Sequence, residues 1–374
     1  MRFIREHMFY VVLVLATAVG GVIALLYYFG SDLDKKLSQR KGVSGSLSGL
    51  ARRRQEKVNA ATVVKLKQSN ELVRTAAKVA AQAASTFNRR ALPILQLTVE
   101  GQTEDAFPIQ PTRYVELSLT YKFIKQYAKA LDDMLNDPAL HRTTKATPRE
   151  TKVEAGKLAE KYKDKALAQA VKSMKIKKAE AGRVFIENDA VDRYFRTELS
   201  APPGKLWQAQ VNLWVTREIL QAIITTNEQL AAERARDGTG PAQASVLSSA
   251  VKQLSSLIIT EQFSTGRGGF GGARGSLSER VSTADFGVIG YQFVVIMPTR
   301  HVQRLLRNLM EQNYHTAVDL SMGEVRRGEN APYYYGTEPV MSVRITGEML
   351  LLMDWTRPLM PQEVQDRLPR KTTG

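Results

Sequence analysis

The sequence predicts an α+β protein carried on a membrane anchor, and three observations support this. Met8 to Phe29 is a run of twenty-two residues without a charge. From about residue 52 to residue 236 the apolar residues recur mainly at helical spacing. Beyond about residue 254 they alternate one by one, as in strands with a single buried face. These shifts divide the chain into a tail at 1–7, a transmembrane helix at 8–29, a linker at 30–51 and a stalk helix at 52–92. A mostly helical middle follows at 93–200, then a sheet-bearing domain at 201–360 and a tail at 361–374.

At ~1.5 Å per residue the 8–29 run reaches about 33 Å, enough to cross the roughly 30 Å hydrocarbon layer. Tyr10 at one end and Tyr27, Tyr28 and Phe29 at the other suit the aromatic belts of a bilayer. Ala16-Thr17-Ala18 has the small-x-small form of a signal-peptide cleavage site, but the apolar run continues for eleven residues past it. Arg2 and Arg5 ahead of so short a tail favour an inside N-terminus with the bulk of the chain outside. Lys35, Lys36, Arg40 and Lys41 after the span pull the other way.

The chain has 374 residues and no cysteine, which excludes disulfides, thiol catalysis and cysteine-ligated zinc. A net charge of +16 asks either for an anionic partner, lipid head groups or nucleic acid, or for solvated lysine-rich helices that carry the excess.

Gly42, Gly45 and Gly49 mark the linker. Arg52 to Leu92 then contains neither proline nor glycine. Its Val58, Thr62, Leu66, Leu72, Ala76, Val79 and Ala83 follow roughly the 3.5-residue spacing of a coiled coil, interrupted at Lys65 and Ser69. Val58, Leu72, Ala76, Val79 and Ala83 are the candidate interaction residues; a lone amphipathic helix lying on the domain is the other reading of the stretch. Pro93 to Glu100 suggests a short strand. A helix opening at Thr112 should bury Leu117, Tyr121, Ile124, Ala128, Leu131 and Leu135. Thr147-Pro148-Arg149-Glu150 has the form of a capping box with proline at the first helical position, and predicts one helix running to about Glu180.

Pro202-Pro203-Gly204 breaks the chain, and a helix from Leu206 to about Arg236 carries Trp207 and Trp214 on one stripe, a core pattern more than a ligand cage. Strands are expected at Leu254–Phe263, Val288–Met297, around Val318, Leu320 and Met322, and at Val340–Met353. Between the second and third, Val302, Leu305, Leu306, Leu309 and Met310 mark a helix capped at Thr299. Helix, strand, strand, helix, strand, strand is the αββαββ order of a permuted ferredoxin-like domain, an antiparallel sheet with both helices on one face.

Few signals point to chemistry. Gly266-Arg267-Gly268-Gly269-Phe270-Gly271 matches G-x-G-x-x-G without the long helix a dinucleotide site needs; the stretch also has the look of one RGG box, and reads best as a hairpin loop. Lys161, Lys163, Lys165, Lys172, Lys175, Lys177 and Lys178 crowd one helical stretch, yet Tyr162 is its one aromatic, so stacking on nucleic-acid bases has little to work with. His7, His141, His301 and His315 lack metal-ligand spacing, and neither a P-loop nor a G-x-S-x-G elbow is present. The expectation is a protein that is not an enzyme, with no cofactor, no metal site and no small-molecule substrate.

One short-tailed anchor, a helical stalk and the αββαββ order from Met8 to Trp355 resemble the PilO and GspM family of inner-membrane platform proteins of type IV pili and type II secretion systems. The lysine-rich helices from Thr112 to Glu180 depart from that compact pattern. The resemblance implies a single-pass inner-membrane scaffold with a periplasmic bulk, acting by protein-protein contact with itself or a related single-span platform protein, in the lipid bilayer. The second reading is a membrane-tethered binder of nucleic acid or another polyanion, using Lys161 to Lys178 and the RGG-like loop.

Overall fold

The computed structural model describes residues 60–89, 93–99, 101–108, 117–195, 200–238, 245–263, 278, 280–325 and 331–369. Two compact units divide between Lys78 and Val79, within helix α1 (Ala60–Arg89). The expected tail, transmembrane helix at Met8–Phe29 and linker lie outside the described residues, as does Val58. The expected fold class is corrected on this point: among the described residues no helix is long and apolar enough to cross a membrane. The stalk helix was not expected to span, and along α1 Lys65, Lys67, Glu71, Arg74 and Lys78 recur too often to leave the ~20 consecutive apolar residues a span requires.

In the unit from Val79 onward, β1 (Gln96–Val99) and β2 (Gln102–Asp105) form a small antiparallel hairpin turned at Gly101, whose φ of 83° suits a residue without a Cβ. Helix α2 (Leu117–Leu135) buries Phe123, Tyr127, Leu131 and Leu135. Tyr121, expected on that face, is exposed. Phe123 and Tyr127, two and six residues along, set the buried stripe instead.

Helices α3 (Pro148–Tyr162) and α4 (Ala166–Ala181) replace the single helix expected to Glu180. Thr147 caps α3 as its sequence requires: its hydroxyl accepts from the Glu150 amide and its own amide donates to Glu150 Oε2 at 2.8 Å. Lys163, in the left-handed region at φ 44°, turns the chain back on itself. No glycine or proline announces that turn.

The main sheet has the order β3-β4-β5-β6-β8-β7, from β3 (Arg142–Thr143), β4 (Val184–Ile186), β5 (Gln253–Gln262), β6 (Phe286–Met297), β7 (His315–Glu324) and β8 (Met341–Leu352). The β5-β6-β8-β7 part is antiparallel, as expected. The whole is six-stranded and mixed, which corrects the expected antiparallel ferredoxin-like sheet. Strands β3 and β4 arrive from the helical middle and add to β5 in parallel. Val184 and Ile186 face the main core while Phe185 faces a second one, so the strand is apolar throughout, as strands covered on both sides are.

Helices α5 (Pro203–Arg236) and α6 (Val302–Gln312) share the main core with the sheet. Trp207 and Trp214 are fully buried at 0% and 1% exposure and meet edge to face at 5.5 Å; Leu305 and Leu309 of α6 join the same core beside Tyr291, Phe293, Val343 and Ile345. The short helices α7 (Met353–Thr356) and α8 (Gln362–Gln365) close the chain.

Candidate functional site

Helix α1 presents large apolar side chains to solvent. Leu72 is 71% exposed, Val73 65%, Val79 60% and Leu66 54%. Of the candidate interaction residues, Leu72, Ala76, Val79 and Ala83 all lie exposed along this helix, at the spacing read from the sequence.

At its other end α1 is fastened. Asn88 is fully buried and uses its whole side chain: Nδ2 donates to Asn313 Oδ1 at 2.7 Å and to the Leu350 carbonyl at 2.8 Å, while Oδ1 accepts from the Leu352 amide at 2.8 Å and the Trp355 indole at 2.9 Å. Asn313 Nδ2 returns a bond to the Asn88 carbonyl and another, at 2.8 Å, to Glu218 Oε1.

Glu218 leads into a buried row. Its Oε2 lies 2.8 Å from His315 Nε2, and His315 Nδ1 lies 3.1 Å from the Tyr291 hydroxyl. A carboxylate only accepts, so Nε2 carries the proton, and in that tautomer Nδ1 accepts from Tyr291. Burial pushes the Tyr291 phenol far above its usual range, helped by the carboxylates of Glu218 and Glu348. Across the sheet Tyr291 pairs with Gly347, where a Cβ would sit 2.5 Å from the hydroxyl oxygen. Tyrosine, histidine and glutamate in a row have the parts of a nucleophile, a base and its orienting acid. All three are buried, however, so a substrate could not come within the hydrogen-bond reach that general-base chemistry needs. The row locks α5, β6 and β7 together.

A second buried charge, Lys252, sits just before β5. Its Nζ donates to the carbonyls of Val246 at 3.0 Å and Leu247 at 2.8 Å, and Glu338, which also binds Arg300, lies 3.9 Å away. Burial lowers its pKa to about 8 against the opposing pull of Glu338. Lys252 thereby ties the 331–340 loop to β5.

The α3–α4 hairpin is cross-braced near its base. Lys177 binds Glu154 at 2.6 Å and Lys178 binds Glu150 at 2.7 Å. Lys178 and the Thr147 groups hold the Glu150 carboxyl down to about 2. Toward the tip Lys161, Lys163 and Lys165 are exposed, and Lys161 lies over the Tyr162 ring. Among the described residues no group of three or more His, Asp or Glu could hold a metal ion. The glycine-rich stretch Gly266–Gly275 lies outside the described residues.

Sequence reading missed the buried polar row and Asn88. One signal was present: Glu218 falls four residues after Trp214 and four before Ala222, on the apolar stripe of its helix.

No family model and no curated protein matches the chain. A crystal structure from Akkermansia muciniphila is similar over 63% of this chain and 95% of its own, at 7% identity and a TM-score of 0.27, a likeness too slight to carry an argument. Nothing in these comparisons supports the expected assignment to pilus and secretion machines, and that assignment is not carried forward.

Proposed function

We propose that this chain is a scaffold that acts by protein-protein interaction, gripping a helix of another chain along α1. The observation that carries the proposal is the exposure of Leu66, Leu72, Val73 and Val79 along one 30-residue helix, a concentration of apolar surface that gains by being covered. The small residues Ala76 and Ala83 allow a partner helix to approach closely. Charge indicates what kind of partner: α1 carries Lys65, Lys67, Arg74, Lys78 and Arg89 against Glu71 alone, so a second copy would bring like charges together. A different chain with acidic residues flanking its apolar seam fits better.

The sheet edges support the reading less. Strand β7 lies at one edge but carries a bulge between Ala317 and Asp319, a device that discourages edge pairing, and β3 at the other edge has two residues.

A photo-cross-linker placed at Leu72 or Ala76 in cells should capture one partner in a fixed ratio. Val79→Asp combined with Ala83→Asp should abolish capture while leaving the unfolding midpoint of the sheet domain unchanged. Cross-linking that yields monomer alone would overturn the proposal.

A further inference from the structure

The α3–α4 hairpin has a base and a tip of different character. The base is built into the fold: Ala179 is fully buried in the second core with Phe185 and Val246, and the Val246 amide donates to the carbonyls of Ala179 and Gly182. The carboxylates of Glu150 and Glu154 are engaged there by Lys178 and Lys177. The tip carries lysines without such partners: Lys161, Lys163 and Lys165 are exposed, and among the described residues none of them forms an ion pair. Two residues past Lys165, Leu167 is 61% exposed in the first turn of α4. Lysine is the hairpin's usual cation: nine lysines stand beside Arg149 between Pro148 and Ala181.

We infer that the hairpin tip is a contact site for an anionic lipid surface, with Lys161, Lys163 and Lys165 over the head groups and Leu167 entering the apolar layer beneath them. Three features select this ligand over a nucleic acid. An exposed leucine that closely follows three exposed lysines in the chain finds both an anionic rim and an apolar interior at a lipid surface, whereas a phosphate backbone offers leucine nothing. Lysine acts as a hydrated point charge suited to a diffuse field, while close bidentate reading of phosphates is the work of arginine. The tip's one aromatic, Tyr162, is half-buried and already covered by Lys161, which leaves no stacking platform for bases. The inference is independent of the role proposed for α1.

The chain contains no cysteine, so a single Leu167→Cys substitution accepts an environment-sensitive fluorophore at one place only. With the full-length protein, vesicles of phosphatidylcholine mixed with phosphatidylglycerol should shift the label to the blue, and added salt should reverse the shift. Phosphatidylcholine alone should leave it unmoved, as should either vesicle for a label at Met322→Cys on β7. Replacing Lys161, Lys163 and Lys165 by Gln should weaken the partitioning of the tip by about two orders of magnitude. The substituted residues are all exposed, and an unchanged circular dichroism spectrum would show that the hairpin still folds. An equal shift on neutral vesicles, a shift that survives loss of the three lysines, or a response to a polynucleotide but not to anionic vesicles would each overturn the inference.

Discussion

Asn88 is the residue on which the end of α1 depends, because one side chain satisfies four groups that come together from three places in the chain. Asn88→Ala leaves the Leu352 amide and the Trp355 indole without partners in a buried setting and should cost about 2–4 kcal/mol in denaturant unfolding. Gly347 tests shape alone. Its absent Cβ would also lie 2.6 and 2.8 Å from ring carbons of Tyr291, so Gly347→Ala should destabilise by about 1–3 kcal/mol, and Tyr291→Phe, which removes the hydroxyl and keeps the ring, should not rescue it. Lys252 gives a pH signature. Its folded pKa of about 8 lies below the ordinary 10.5, so between those values the unfolded chain holds a proton that the folded chain has released, and stability from this group rises with pH. The difference in denaturant midpoint between the natural protein and Lys252→Met should therefore move in favour of the natural protein across that window. Little at this scale was legible beforehand. Spacing reveals neighbours three or four residues apart, whereas Glu218 meets a histidine 97 residues away and Asn88 a tryptophan 267 away.

Among the elements, the hairpin should respond to acid. The Glu150 carboxyl is held down to about 2 and that of Glu154 is lowered by Lys177, so the stability that they supply is present above the ordinary carboxylate range and lost as the pH falls toward 2. Amide-exchange protection over 148–181, taken relative to the unstructured rate at each pH, should fall across that range, and Glu150→Gln with Glu154→Gln should flatten the response. Helix α6 buries one face in the core, and Leu305→Asp or Leu309→Asp should unfold the sheet domain, seen as loss of near-ultraviolet circular dichroism. Elements with a local cause were readable: the capping box at Thr147 and the stripe of Val302, Leu305 and Leu309 on α6 stand where their residues put them, though Met310 is exposed and a tight turn at Thr299–His301 takes the place of the expected cap. The turn at Lys163 was not, since Tyr162, Lys163 and Asp164 carry no breaker and the pairing of two helix faces decides the bend. The buried stripe of α2 was misread for a similar reason, because tertiary packing chose Phe123 and Tyr127 over Tyr121.

For the molecule as a whole, the order α5, β5, β6, α6, β7, β8 could be read from the change of hydrophobic period, and that order holds. The parallel edge could not, because β3 and β4 have two and three residues, too few to show any period, and their place beside β5 is fixed only when the sheet assembles. The long separations around Asn88 also bear on the making of the chain. At roughly 5–20 residues per second of synthesis, α1 emerges tens of seconds before Leu350, Leu352 and Trp355, the groups that fasten it. Throughout that interval the exposed face of the nascent helix is open to the partner proposed for it while its own domain is unfinished. On the role proposed for α1, assembly would begin on the ribosome, with the docking of the last strand and the helix after it setting the grip.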